Sequence, residues 1–205
     1  MGHHYLNQVF SPASVAVFGA SERENAVGTL LLKNMLAAEF KGDIYPVNPK
    51  YKTVQGLTCY PDIHKINKSV DLAIIAIPAN KVINIVRECG EIGCRGVVVL
   101  SSGFSDNGVR GKRLEAKLLE VVHEYGLHLI GPNCLGIMRP QVGLNATFSN
   151  NQARMGNVAL VSQSGAMATA ILDWAATRQV GFSTVATLGD AADVDFGDVL
   201  DYLAL

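Results

Sequence analysis

The chain lacks an excess of either charge, lacks a long apolar run, and places its few cysteines in no metal-binding spacing. Lys and Arg number 17 against 18 Asp and Glu, a formal net charge of −1. Without a clustered basic excess, no general attraction to nucleic acid or to an anionic membrane surface is expected. The longest apolar stretches, such as Leu72–Pro78 and Gly96–Leu100, are far too short to cross a bilayer and have the length of buried strands. Cys59, Cys89, Cys94 and Cys134 form no CxxC pair and no paired His/Cys ligand set, so no metal site is expected. They read as reduced, buried thiols of a cytoplasmic protein. The start, Met1-Gly2-His3-His4, has no basic segment followed by an apolar one, so no secretory signal is expected. The adjacent histidines are native or a tag remnant and are given no role.

What the chain has is a core's worth of apolar residues in a regular alternation. Of its 205 residues 49% are hydrophobic and 17% charged, enough for one full α/β domain and part of a second. Ser14–Phe18, Asp43–Val47, Asp71–Ile77, Gly96–Leu100 and Leu127–Ile130 have the composition of strands, most of them buried on both faces. Between them Gly28–Phe40, Lys81–Ile92 and Val109–Tyr125 carry apolar residues at helical spacing. Five such strands separated by helices predict an α/β fold, a Rossmann-like doubly wound parallel sheet. A connector rich in Asn, Gly and Pro follows over Gly131–Met155. Beyond it, strands at Asn157–Ser162 and Phe182–Leu188 and helices at Ala166–Arg178 and from Val194 suggest a second α/β unit. Two strands and two helices can hardly cover their own sheet, so the chain is expected to end inside that unit. The expected division is a nucleotide-binding domain over residues 8–140, then a connector and the first part of a second domain over 141–205.

The first strand runs into Gly19-Ala20-Ser21-Glu22-Arg23 and reaches a helix at Gly28. Small residues there let backbone approach a pyrophosphate, and a helix start supplies free N–H groups and a positive dipole end. Two features weigh against NAD. The G-x-G-x-x-G spacing is absent, and the second strand ends in Val47-Asn48-Pro49-Lys50 instead of an acid for a ribose hydroxyl. Lys50 suits a ribose that carries an extra phosphate, as in coenzyme A or NADP, although taken alone it is more often an ordinary loop lysine. Ile77-Pro78 and Ser101-Ser102-Gly103 fall at later strand ends, where open α/β sheets bind ligands, and could flank an adenine or pantetheine arm.

Several segments together resemble the CoA-binding domain of the succinyl-CoA synthetase superfamily. They are Ser11-Pro12-x-Ser14-Val15-Ala16-Val17-x-Gly19-Ala20-Ser21, Tyr45-Pro46-Val47-Asn48-Pro49, Asp71-Leu72-Ala73-Ile74 and Gly131-Pro132-Asn133-Cys134-Leu135-Gly136. The block Gly156 to Ala166 resembles the start of that family's flavodoxin-like ligase domain. The resemblance implies coenzyme A or acyl-CoA as ligand. Gly19, Ala20, Ser21 and Gly28 would bracket its phosphates, and Val47, Asn48, Pro49 and Lys50 would line the nucleotide end. Ile77, Pro78, Ser101, Ser102 and Gly103 would form the remaining wall. Arg23 departs from the small residues common in this turn and either clamps a phosphate or points to solvent. The resemblance also implies a phosphoryl site at helix starts, with Asn133, Cys134, Ser162, Ser164 and Gly165 as candidates. Ser162 and Ser164 serve equally as helix caps, and no neighbouring base marks Cys134 as a nucleophile. None of the five histidines stands in the family's phosphohistidine context, so no catalytic residue is expected in this chain.

The segments Leu144–Ser149, Ile171–Ala175 and Leu188–Phe196 are similar to the ADP-forming acyl-CoA synthetase branch. The run Asp193–Leu203 is similar to bacterial proteins that fuse this module to a GNAT acetyltransferase acting on protein lysines. Three functions follow as expectations. The favoured one is a CoA or acyl-CoA binding module of such a fusion. The second is the alpha-type part of an NDP-forming acyl-CoA synthetase working through a phosphohistidine, and the third an NADP-binding oxidoreductase domain. In the first two, ATP or ADP would enter only through domains absent from this chain. The implied partners are the remaining ligase domain and an ATP-grasp or GNAT domain, with neither nucleic acid nor membrane.

Overall fold

The computed structural model describes residues 4–204. The Met1–His3 start, on which the secretion reading and the first of the paired histidines fall, lies outside them.

The first sheet holds five parallel strands in the order β2-β1-β5-β6-β7: β1 (Ser14–Phe18), β2 (Asp43–Val47), β5 (Leu72–Ile75), β6 (Gly96–Val99) and β7 (His128–Ile130). Every residue of β1, β5 and β6 is buried, which is why each reads as an unbroken apolar run instead of an alternation. Two short strands, β3 (Thr53–Val54) and β4 (Leu57–Thr58), make a hairpin after β2. Helices α3 (Ala79–Glu91) and α4 (Gly108–Tyr125) pack together on one face, around Val86, Leu118 and Val122. Helices α1 (Asn7–Phe10) and α2 (Val27–Ala37) lie with the other face's core. The doubly wound parallel reading is borne out.

The stretch expected to be a bare connector is in fact structured. It contains β8 (Gly136–Arg139) and β9 (Leu144–Thr147), an antiparallel pair joined through a turn at Pro140–Val142. With β10 (Met155–Ser162) and β11 (Phe182–Thr187) they form a four-stranded sheet, ordered β10-β11-β8-β9. Among the described residues the second unit therefore has four strands where two were expected. Its helices are α5 (Gly165–Thr177) and α6 (Phe196–Leu203). Leu144 and Ala146 of β9 share a core with Leu31, Leu32 and Met35 of α2, so the second sheet helps cover the first. The Asn34 side chain seals this seam by donating to the carbonyls of Thr147 (2.8 Å) and Ser149 (2.7 Å). Among the described residues, no helix is long and apolar enough to cross a membrane.

Candidate functional site

Strand order reverses between β1 and β5, because β1 is followed in sequence by β2 on one side and bordered by β5 on the other. In an open parallel sheet the loops diverge at such a point and leave a crevice at the carboxyl ends of the strands. A cleft of about 620 Å3 opens there. It is lined by Gly19, Ser21 and Arg23 from the β1–α2 turn, Val47, Asn48, Pro49 and Lys50 from the end of β2, and Ile77 and Pro78 from the end of β5. A second cleft of about 360 Å3 shares the Ala76–Pro78 wall and continues past Ser101 and Ser102 to Val27 and Phe148. Together they make a bent trough, of a volume suited to an extended small molecule.

The β1–α2 turn is held closely against α2. The Gly19 N–H donates to the Val47 carbonyl (3.1 Å), and Gly19 sits at φ +86°, a conformation that favours glycine. A Cβ on Gly28 would overlap the Gly19 carbonyl, 2.6 Å from its carbon, so only glycine lets turn and helix meet here. The Thr29 hydroxyl shares its one proton between the carbonyls of Ser21 (2.7 Å) and Arg23 (2.8 Å), and the Ser21 hydroxyl accepts from the Arg23 N–H (3.0 Å). Buried Ser21 thus has its oxygen engaged while its O–H is free to donate. Helix α2, with Ala26 at its N-cap, has no side-chain cap and no acid in its first turn, and α3, with Pro78 at its N-cap, begins in the same way. Both starts border the trough with uncapped N–H groups, a favourable setting for phosphate.

Asn48 serves the site by joining two loops. Its amide donates to the Ala20 carbonyl (2.7 Å), and its side-chain oxygen accepts from the Lys50 N–H (3.0 Å). Ala20 itself is buried and stands behind the wall. The charges facing the first cleft are Arg23, Lys50 and Lys81 on one side of the balance and Asp62 and Glu88 on the other. Burial pushes the Glu88 carboxyl above the usual carboxylate range, against the pull of His64. Lys81, Tyr51, Asp62 and Glu88 were not foreseen. Helical spacing places Val82 and Val86 in the core but does not say which exposed face of α3 meets the cleft.

Three of the candidate residues, Gly103, Asn133 and Cys134, stand apart from the rest. Gly103 lines a neighbouring cleft beside α4 residues instead of the two clefts of the trough, and its N–H donates to the Asp106 carboxylate (2.8 Å). The Ser101 hydroxyl donates to the Ile77 carbonyl and ties the two strand ends together. Asn133 and Cys134 do not precede a helix, since β8 follows them. The N–H groups of Leu135 and Gly136 both donate to the Thr187 hydroxyl (2.9 Å each), and the Cys134 thiol faces the Val99 carbonyl (3.4 Å). Burial pushes that thiol up to about 12, which leaves it an inert core group at neutral pH. Ser162, Ser164 and Gly165 do form a helix start. Ser164 caps α5 by accepting from the Met167 N–H (3.2 Å), and the Ser162 hydroxyl accepts from the Ser164 N–H (3.0 Å). A Cβ on Gly165 would stand 3.1 Å from the Leu135 side chain, so this start packs directly beside the 133–135 turn.

The family model described as a CoA binding domain matches residues 13–140, more than half of the chain. The model described as a succinyl-CoA ligase like flavodoxin domain matches residues 155–205. The chain is similar to acetate–CoA ligase [ADP-forming] I of Archaeoglobus fulgidus, 46% identical over 97% of this chain and 29% of that protein. It is also similar to the alpha subunit of acetate–CoA ligase [ADP-forming] II of Pyrococcus furiosus, 43% identical over 97% of this chain and 43% of that subunit. Among solved structures, the dinucleotide forming acetyl-coenzyme A synthetase 1 of Ca. Korarchaeum cryptofilum, in complex with phosphate and ADP, superposes with a TM-score of 0.93. It is 37% identical, over 97% of this chain and 42% of that one. The chain thus spans less than half the length of these relatives. All three are archaeal synthetases or ligases, and they give no support to the bacterial acetyltransferase-fused branch.

Proposed function

The chain belongs to the CoA-binding domain family, and from that membership we propose that it is the CoA-binding alpha-type part of an ADP-forming acyl-CoA synthetase. The observation that carries this reading is the trough at the strand-order reversal. It offers two uncapped helix starts, the Ser21 hydroxyl, and Arg23, Lys50 and Lys81 around one cleft. That donor set fits the polyphosphate end of coenzyme A, and the apolar wall of Ile77, Pro78, Val27 and Phe148 fits its pantetheine arm. The thiol that coenzyme A supplies is the group that accepts the acyl unit.

The residues of this chain bind and orient. Backbone N–H groups at the start of α2 and the Ser21 O–H hold the diphosphate. Lys50 pairs with the ribose phosphate as a point charge, and Asn48 keeps the Lys50 loop in register with the phosphate turn. Ser162, Ser164 and the first N–H groups of α5 form a further anion-favouring helix start, beside the 133–135 turn. The phosphohistidine and the nucleotide would come from domains outside these 205 residues, and the acid substrate follows the relatives in being a carboxylate.

The test uses the full-length protein with ATP, acetate and CoA. Acetate- and CoA-dependent release of ADP supports the ligase reading. Transfer of acetyl groups from acetyl-CoA to protein lysines without ADP formation would replace it by the acetyltransferase-fused one.

A further inference from the structure

A further concave space lies outside the CoA trough. A cleft of about 750 Å3 separates the starts of α3 and α4, with Ala79 and Asn80 on one side and Val109, Arg110, Arg113 and Lys117 on the other. Its charged lining residues, Arg110, Arg113 and Lys117, are all cations. None of them forms an ion pair among the described residues. The nearby acids are engaged elsewhere, Asp106 on the N–H groups of Gly103 and Phe104 and Glu115 on the Ser105 hydroxyl. In a chain of net charge −1 this is a local concentration, not a general basic character.

The arrangement also runs against what helix stability favours. The positive end of a helix dipole is stabilised by acids and by a side-chain cap. The first turn of α4 has no acid, and Asn107 at its N-cap makes no side-chain cap hydrogen bond, while Arg110, Lys112 and Arg113 follow at once. Gly111 inside the helix lowers helix propensity by about 0.5–1 kcal/mol relative to alanine. A Cβ there would stand 2.7 Å from the Phe104 carbonyl carbon, so this glycine lets the 103–107 loop lie on the helix and wall the cleft. Local rules broken together around one cavity mark a functional site more often than a structural one.

We propose that this cleft is a second binding site, for a nucleoside polyphosphate. Three cations match two or more phosphate charges, and the volume lies within the range of small-molecule sites. Val109, which is 69% exposed, offers with Leu114 and Ala79 an apolar surface for the nucleoside. The site differs from the CoA trough but adjoins it through the first turn of α3, where Pro78 and Lys81 face the trough while Ala79 and Asn80 face the new cleft. It does not depend on the CoA reading.

The test is calorimetric titration of the 205-residue chain with ADP, inorganic tripolyphosphate and CoA, in wild type, Arg110→Gln/Arg113→Gln, Val109→Ser and Lys50→Ala. Saturable ADP binding is expected, weakened roughly tenfold for each guanidinium removed. Val109→Ser should weaken ADP and not tripolyphosphate, and the double variant should leave CoA binding unchanged. Absence of ADP binding would overturn the proposal, as would ADP binding lost in Lys50→Ala and kept in the double variant. Equal affinity for ADP and tripolyphosphate would overturn its nucleoside part. A loss of CoA binding in Lys50→Ala alone tests the trough separately.

Discussion

Replacing Gly28 by alanine tests whether the phosphate turn owes its position to a close approach between turn and helix. Alanine is the better helix former by up to about 1 kcal/mol, and less than that so near a helix start. On propensity alone Gly28→Ala would therefore stabilise the protein. The structure predicts the reverse, because the new Cβ would stand 2.6 Å from the Gly19 carbonyl carbon. Reaching ordinary van der Waals separation requires the turn to retreat by about 1 Å. It cannot retreat freely, since Gly19 is tied to Val47 and the Thr29 hydroxyl holds Ser21 and Arg23. Overpacking of this kind costs about 1–3 kcal/mol, so a net loss of about 1–2 kcal/mol remains. For a chain of this size that lowers Tm by roughly 2–8 °C. Displacing the turn by the same distance also breaks one or two charge-assisted hydrogen bonds to a bound diphosphate, each worth about tenfold in affinity. Differential scanning calorimetry and CoA titration read the two effects. A variant with unchanged or raised Tm and unchanged CoA affinity would refute the argument.

Two further substitutions probe the supports of the site and of the fold. Asn48→Ala removes the bonds to Ala20 and Lys50 and should cost about 1–2 kcal/mol in urea unfolding with weakened CoA binding. Asn48→Asp should bind CoA more weakly still, because its carboxylate faces the Ala20 carbonyl and repels phosphate. Acidification should destabilise the chain in part through His128, whose imidazole is held below its ordinary pKa by burial, with Asp193 and Asp198 opposing. The folded state then binds fewer protons than the unfolded one, so stability falls as pH drops through the unfolded value of about 6.5. His128→Gln should flatten urea-unfolding stability between roughly pH 7 and 5.5, and an unchanged slope would remove His128 from the account.

The first sheet was legible because its central strands are buried on both faces. Runs such as Val15–Phe18 and Leu72–Ile75 admit few other readings once helices separate them. The β8–β9 pair was hidden because its burial comes from α2 and the second sheet instead of from its own pattern. Arg139, Asn145 and Thr147 sit in these strands, and Asn145 and Thr147 are buried there, with the Thr147 hydroxyl donating to the Asn145 side chain (2.8 Å). In the site, residues on the turn and on the β2 end could be placed from strand order alone, as Ser21 and Lys50 were. Lys81 and Glu88 could not, since their facing depends on how α3 rotates over the sheet. That Gly103 lines the neighbouring cleft was not legible either, since the sequence does not show that Asp106, three residues on, takes its N–H.

The central claim is that coenzyme A occupies the trough with its ribose phosphate at Lys50. Calorimetric titration of the chain with CoA, acetyl-CoA, NAD and NADP, repeated in Lys50→Ala, tests it most directly. Saturable binding of CoA and acetyl-CoA only, weakened about tenfold by the substitution, is the predicted result. Binding of NADP without CoA, or CoA binding untouched by Lys50→Ala, would contradict it.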